Sequence, residues 1–155
     1  MAQARGHEER LQQLGIELPK PSRPVANYLS CKRSGDLLWV GGHGPVAPQG
    51  IVQGKVGGSL TLDEGKEAAR LTALSILATV RAELGSLDRV RQVVKVLGMV
   101  NCAPGFNRTP EVIDGCSDLL VAVFGEAGRH TRSAVGMAEL PFDIAVEIEC
   151  VLEVD

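Results

Sequence analysis

The C-terminal segment alternates without a break. Ile144, Val146, Ile148, Cys150, Leu152 and Val154 fall on one side of an extended chain, and Ala145, Glu147, Glu149, Val151 and Glu153 fall on the other. Successive side chains of a strand point to opposite faces, so the pattern predicts a strand with one apolar and one mostly acidic face. The segment before it sorts in the same way, with Arg132, Ala134 and Gly136 opposed to Ser133, Val135 and Met137. Paired through the Glu139–Asp143 turn, these two strands would bring the Arg132 guanidinium and the Glu147 carboxylate to one face among small neighbours. Such a pair is either a ligand site or a cross-strand ion pair.

Upstream, residues 6–14 read as a short polar helix closed by Gly15, and Pro19, Pro21 and Pro24 impose an extended lead-in. Tyr28–Lys32 and Leu37–Val40 predict a hairpin around Arg33-Ser34-Gly35-Asp36, followed by the turn Gly41-Gly42-His43-Gly44-Pro45. A long helix is expected from Thr61 to about Leu84. Asp63 and Glu64 suit its positive end, and Leu71, Leu74, Ile76, Leu77, Val80 and Leu84 form its apolar stripe. Residues 90–101 are apolar on both sides and predict a central strand. With Thr109 as its N-cap and Pro110 in its first turn, a second helix is expected from about Pro110 to Phe124, and Gly125 and Gly128 end it. The order favours an α+β domain in which two main helices cover one face of a mixed sheet of five to six strands. The other face, carrying Glu147, Glu149 and Arg132, is left for self-association. Residues 1–20 form an N-terminal helical extension to a single domain over 21–155.

Composition narrows the function classes. The chain has 155 residues, 45% hydrophobic and 23% charged, which suits one globular domain with its own core. A net charge of −3 with scattered lysines and arginines gives no nucleic-acid footprint. No apolar run approaches the length of a membrane span, so a cytoplasmic location with no membrane partner is expected. Cys31, Cys102, Cys116 and Cys150 contain no Cys-x-x-Cys pair and are expected as reduced, mostly structural thiols.

The common catalytic motifs are missing. The glycine-rich stretch from 41 to 58 holds neither a phosphate-loop nor a dinucleotide fingerprint. His7, His43 and His130 lack metal-ligand spacing, so no metal site is expected. There is no nucleophile elbow of the Gly-x-Ser-x-Gly type. His43, in the tightest glycine turn, and His130, just ahead of Arg132, are each either structural or polar site residues.

Arg132-Ser133, Leu140-Pro141 and Val146-Glu147-Ile148-Glu149 together resemble the hallmark of the RidA/YjgF family of enamine/imine deaminases. Tyr28, Gly35-Asp36 and the Gly41–Val46 turn fall at similar places, so the resemblance spans about residues 24–155. It implies a chorismate-mutase-like fold assembled as a homotrimer with clefts between subunits. It also implies a cofactor-free hydrolysis of small 2-enamine or 2-imine acids to 2-keto acids and ammonia. In that reading Arg132 grips the carboxylate of a small metabolite, Glu147 orients the attacking water and Tyr28 lines the pocket. Gly41, His43 and Ala134 stand where the deaminases usually carry serine, glutamine and cysteine. Those departures, with Asp114, Ser117 and His130 as further candidate lining residues, resemble a divergent branch of the family. The alternative is a non-catalytic trimer of the same fold that binds a small carboxylate or a protein client. An RNA-directed activity is disfavoured by the acidic charge.

Overall fold

A computed structural model of the chain describes residues 6–155. Its elements run α1 (His7–Gln13), β1 (Cys31–Ser34), β2 (Leu37–His43), β3 (Val46–Ala47), β4 (Gly50–Ile51), α2 (Leu62–Leu84), β5 (Val90–Asn101), α3 (Thr109–Phe124), β6 (Thr131–Met137) and β7 (Val146–Val154). Five strands make one mixed sheet in the order β1-β2-β7-β5-β6, and β3 with β4 form a small separate hairpin. The fold is therefore α+β, with helices on one side of the sheet.

Local chemistry explains the main boundaries. Thr61 accepts from the Glu64 amide at 3.2 Å while Glu64 Oε2 accepts from the Thr61 amide at 2.8 Å, a reciprocal capping box that starts α2. Gly85, at φ +82°, ends that helix in the left-handed conformation that glycine adopts without strain. Thr109 is the first helical residue of α3 rather than its cap, and its hydroxyl donates instead to the Ala134 carbonyl at 3.0 Å. The first strand also begins later than the sequence suggests. Tyr28 lies in the lead-in, and β1 opens at Cys31.

Between sheet and helices lies an aliphatic core. Leu38, Val93, Val96, Val100, Val146, Ile148 and Leu152 from the strands meet Ile76, Leu77, Val80, Ile113 and Leu120 from α2 and α3, all at most 1% exposed. Burying each such side chain contributes about 1.5–3 kcal/mol, so this layer dominates stability. α1 belongs to the same core. Leu11 is buried in it, the His7 ring meets Phe124 edge-on at 4.9 Å, and Asp88 caps the helix by accepting from the His7 amide at 2.7 Å. Residues 1–5 of the expected N-terminal extension lie outside the described residues.

Strand order differs from the sequence-based expectation in one respect. β6 and β7 do not pair; β5 lies between them, parallel to β6 and antiparallel to β7. The reason is the α3 crossover, which returns the chain beside β5 in the same direction, as a β-α-β connection must. β6 is left at the sheet edge, and the 138–145 connection carries the chain over to the far side of β5. Arg132 sits opposite Val96 in the register, and Glu147 sits opposite Met99. Val96 faces the helices and Met99 the open side. The guanidinium and the carboxylate therefore occupy opposite faces of the sheet, not one.

Candidate functional site

Glu147 is the centre of the open-face cleft. β2 carries one extra residue against β7 between Val40 and His43, a bulge at Gly41-Gly42. The bulge flips the alternation, so that His43 turns to the helix side and the two glycines stay with the cleft. A Cβ on Gly42 would collide with the Glu147 carboxylate, so the missing side chain is what lets that group lie across β2. Glu147 has no hydrogen-bond or ion-pair partner among the described residues. Burial, with the Glu149 charge beside it, raises its pKa above the ordinary carboxyl value.

The space around Glu147 is a cleft of about 310 Å³. Tyr28, Val25, Val46, Ile51 and Ile144 give it apolar walls, and Phe142 stands at its rim, 72% exposed. Phe142 and Asp143 both have left-handed backbone, at φ 57° and 55°, which is uncommon for residues with side chains. The pair is pinned from behind. Gln53 Nε2 donates to the Phe142 carbonyl at 2.7 Å, the Gly54 amide to the Asp143 carbonyl at 2.8 Å, and Asn101 Nδ2 to Asp143 Oδ1 at 2.9 Å. Backbone strain held by this many bonds is a feature of functional sites.

Arg132 organises a second cluster, on the helix side of the edge strand. Its Nη1 donates to Asp114 Oδ1 at 2.8 Å and to Ser117 Oγ at 3.1 Å, both on α3. Its Nε and Nη2 have no partner among the described residues. One edge of the planar fork is thus fixed by the protein and the other is open to a ligand. His130 completes the cluster. Its Nε2 lies 3.0 Å from Ser117 Oγ and its Nδ1 lies 2.6 Å from the Gly128 carbonyl oxygen. Burial holds its pKa below the usual imidazole value; the Gly128 bond opposes this in part, and the Arg132 charge adds a smaller lowering effect. A depression of about 250 Å³, lined by Ser117, Val121, Arg129, His130 and Arg132, opens here to solvent.

The candidate residues therefore divide into two groups. Tyr28, Gly41 and Glu147 meet in the open-face cleft, and Asp114, Ser117, His130 and Arg132 meet behind the edge strand. Ala134 lies two residues along β6 from Arg132, with its carbonyl bonded to Thr109. His43 is committed to the interior. It is 5% exposed, its Nδ1 lies 2.7 Å from the Gly41 carbonyl, and its Nε2 lies 2.8 Å from Thr79 Oγ1. Burial lowers its pKa, and the residue lines the cleft from under the bulge with both ring nitrogens already partnered. Gly42 and Phe142 are cleft-lining positions that alternation did not single out; the adjacent glycines at the end of β2 were the available signal for the first. Among the described residues no cluster of three histidine, cysteine or acidic side chains has metal-binding geometry. Burial pushes the Cys31 thiol up to about 11 and Cys116 up to about 12, so neither is a thiolate nucleophile at neutral pH.

A sequence model of the YjgF/chorismate-mutase-like family, described as "putative endoribonuclease", matches residues 8–151. The chain belongs to the RidA/YjgF family. Protein TCP17 of Trypanosoma cruzi is 46% identical over 147 residues, covering 94% of this chain and 92% of its own. The crystal structure of Atu1372 from Agrobacterium tumefaciens, a protein of unknown function, has 42% identity and a TM-score of 0.88, covering 98% of this chain and 94% of that one. TdcF of E. coli with bound serine shares the fold at 23% identity and a TM-score of 0.64, over 90% of this chain and 98% of that one. In this family member the Arg132 and Glu147 signature is split between two faces of one sheet. No helix among the described residues is long and apolar enough to cross a membrane.

Proposed function

We propose that this RidA/YjgF member hydrolyses small reactive 2-enamine and 2-imine acids to 2-keto acids and ammonia, in clefts between the subunits of a homotrimer. The observation that carries this reading is the pairing of two incomplete half-sites: a guanidinium with one free edge, and an unpartnered, partly buried carboxylate in an apolar cleft. They lie on opposite sheet faces, so a single ligand touching both needs two protomers. Serine in TdcF, an amino acid of comparable size with a free carboxylate, is in keeping with a small carboxylate ligand. The exposed Leu29 and Trp39 on the open face, 67% and 54% exposed, provide apolar surface for the assembly. A broader hollow of about 560 Å³ along that face, between Leu29, Trp39, Leu97 and Val151, belongs to the same surface.

The chemistry follows from these groups. The free Nε–Nη2 edge of Arg132 grips the substrate carboxylate in a planar, two-pronged contact. The neighbouring iminium carbon is already electrophilic, so the protein needs only to position water and move protons, and no cofactor is required. Glu147 takes the proton as the water oxygen bonds to that carbon. The same carboxyl returns it to the nitrogen, and the C–N bond breaks as the new hydroxyl gives up its proton to Glu147, releasing ammonia and the keto acid. A carboxylate whose pKa lies above the ordinary value is a better base for this step than a fully solvated one. The acidic net charge of −3, and the Glu147 and Glu149 carboxylates of the open face, give no basic track for an RNA backbone.

The test is to generate 2-iminobutanoate in situ and follow keto-acid release. Wild type should accelerate it over buffer. Arg132→Ala should lose about 10²–10³-fold and Glu147→Gln about 10²–10⁴-fold in kcat/KM while remaining folded. No acceleration by wild type, combined with tight binding of a small carboxylate in calorimetry, would favour a non-catalytic binding trimer.

A further inference from the structure

The cluster behind β6 has a proton arrangement set by its bonds together with the burial of its imidazole. A peptide carbonyl can only accept, so His130 Nδ1 must carry its hydrogen and donate it to Gly128 across 2.6 Å. A guanidinium can only donate, so Ser117 Oγ accepts from Arg132 Nη1 across 3.1 Å. Burial and the Arg132 charge disfavour a second proton on the imidazole. Its Nε2 therefore keeps a lone pair, and the one hydrogen left to place, that of the Ser117 hydroxyl, points at it across 3.0 Å. A serine donating to a neutral imidazole, whose tautomer is fixed by a third group, is the arrangement of an activated nucleophile. The adjacent positive charge favours the developing alkoxide. Asp114 keeps the guanidinium in place, and the depression in front of Ser117 is open to solvent.

We infer that Ser117 is a nucleophile and His130 its base for acyl transfer from small anionic carboxylic esters. Ser117 Oγ forms a bond to the acyl carbon as its proton passes to His130 Nε2. The charge that gathers on the carbonyl oxygen falls against the free Nε–Nη2 edge of Arg132, which shares one carbon with the Nη1 already touching Ser117. Collapse breaks the ester C–O bond, and His130 gives the proton to the departing alkoxide. Water then attacks the acyl-serine with His130 again as base, releasing the carboxylic acid and restoring the hydroxyl. Anionic acyl groups are favoured because Arg129, held among the described residues only by a solvent-exposed ion pair with Glu126 at 3.7 Å, adds its charge to the rim of the depression. Every group comes from one protomer and Glu147 takes no part; the free edge of Arg132 is shared with the deaminase reading, so imine acids and esters would compete for it.

The experiment treats the full chain with a fluorophosphonate and, separately, with the mono-4-nitrophenyl ester of succinic acid. Intact mass should show one phosphonyl adduct, peptide mapping should place it on Ser117, and the ester should give a nitrophenolate burst. Ser117→Ala should abolish both. His130→Gln should slow both by about 10²–10⁴-fold and remove the fall in labelling rate at acidic pH that protonation of His130 imposes on wild type. A purely structural His130 would leave that pH profile in place. Absence of an adduct on wild type, an adduct on another residue, or labelling indifferent to His130→Gln would each overturn the proposal. Loss of imine hydrolysis in the assay above would not touch it, because the adduct is read without that reaction.

Discussion

Gly42 has no side chain because the Glu147 carboxylate occupies the place where one would go. That one close approach sets both the position and the electrostatics of the candidate base. A carboxyl whose folded pKa lies above its unfolded value binds its proton more tightly in the folded protein. The stabilisation exists only while the group is protonated, and it is lost as pH rises through the folded pKa. At neutral pH the ionised Glu147 therefore opposes folding. Glu147→Gln, which keeps the shape without the charge, should melt at a higher temperature than wild type at pH 7. The gap should close as the pH falls below the ordinary carboxyl value of 4.5, and thermal melts at the two pH values check this. Alternation alone exposed Glu147, because a strand whose opposite side is entirely apolar leaves its acids nowhere else to point. The role of His43 was not legible in the same way. One extra residue in β2 reverses its side, and a bulge leaves no period in the sequence beyond a pair of glycines.

α2 and α3 approach closely at Gly115, where an added Cβ would run into the Lys66 carbonyl and the Arg70 amide. Both obstacles are helix backbone and cannot rotate away. Gly115→Ala should therefore destabilise the fold by about 3 kcal/mol through overpacking, which a urea titration would measure. It should also weaken the Asp114–Arg132 contact next door. The helices themselves were plain in the sequence, since Thr61 with Glu64 and Thr109 with Pro110 are local signals that act within one turn. Neighbour order among the strands was not. Side-chain alternation fixes which residues share a face of one strand, but every strand has two edges, and nothing in Arg132–Met137 says which edge meets which partner. The α3 crossover decided it by delivering β6 parallel to β5, and so separated Arg132 from Glu147.

Trp39 and Leu29 leave a large apolar area on the uncovered sheet face, beside the cleft that holds Glu147. Light scattering should report a mass of three chains for wild type. Trp39→Glu should give single chains that keep their helical spectrum but lose imine hydrolysis, because charge is poorly tolerated in the buried part of an interface. Whole-molecule organisation was legible only as an unbalanced ledger of faces, two helices being enough to cover one side of the sheet. The division of Arg132, on β6, and Glu147, on β7, between the two faces of the sheet has a genetic consequence. Chains that are individually inactive can repair one another. Arg132→Ala retains a sound acid and Glu147→Gln a sound anchor, so equal amounts unfolded and refolded together should recover about one quarter of the wild-type sites by random assembly. Either variant refolded alone should recover none. In a cell expressing two defective alleles, their complementation would then depend on which side of the sheet each one damages.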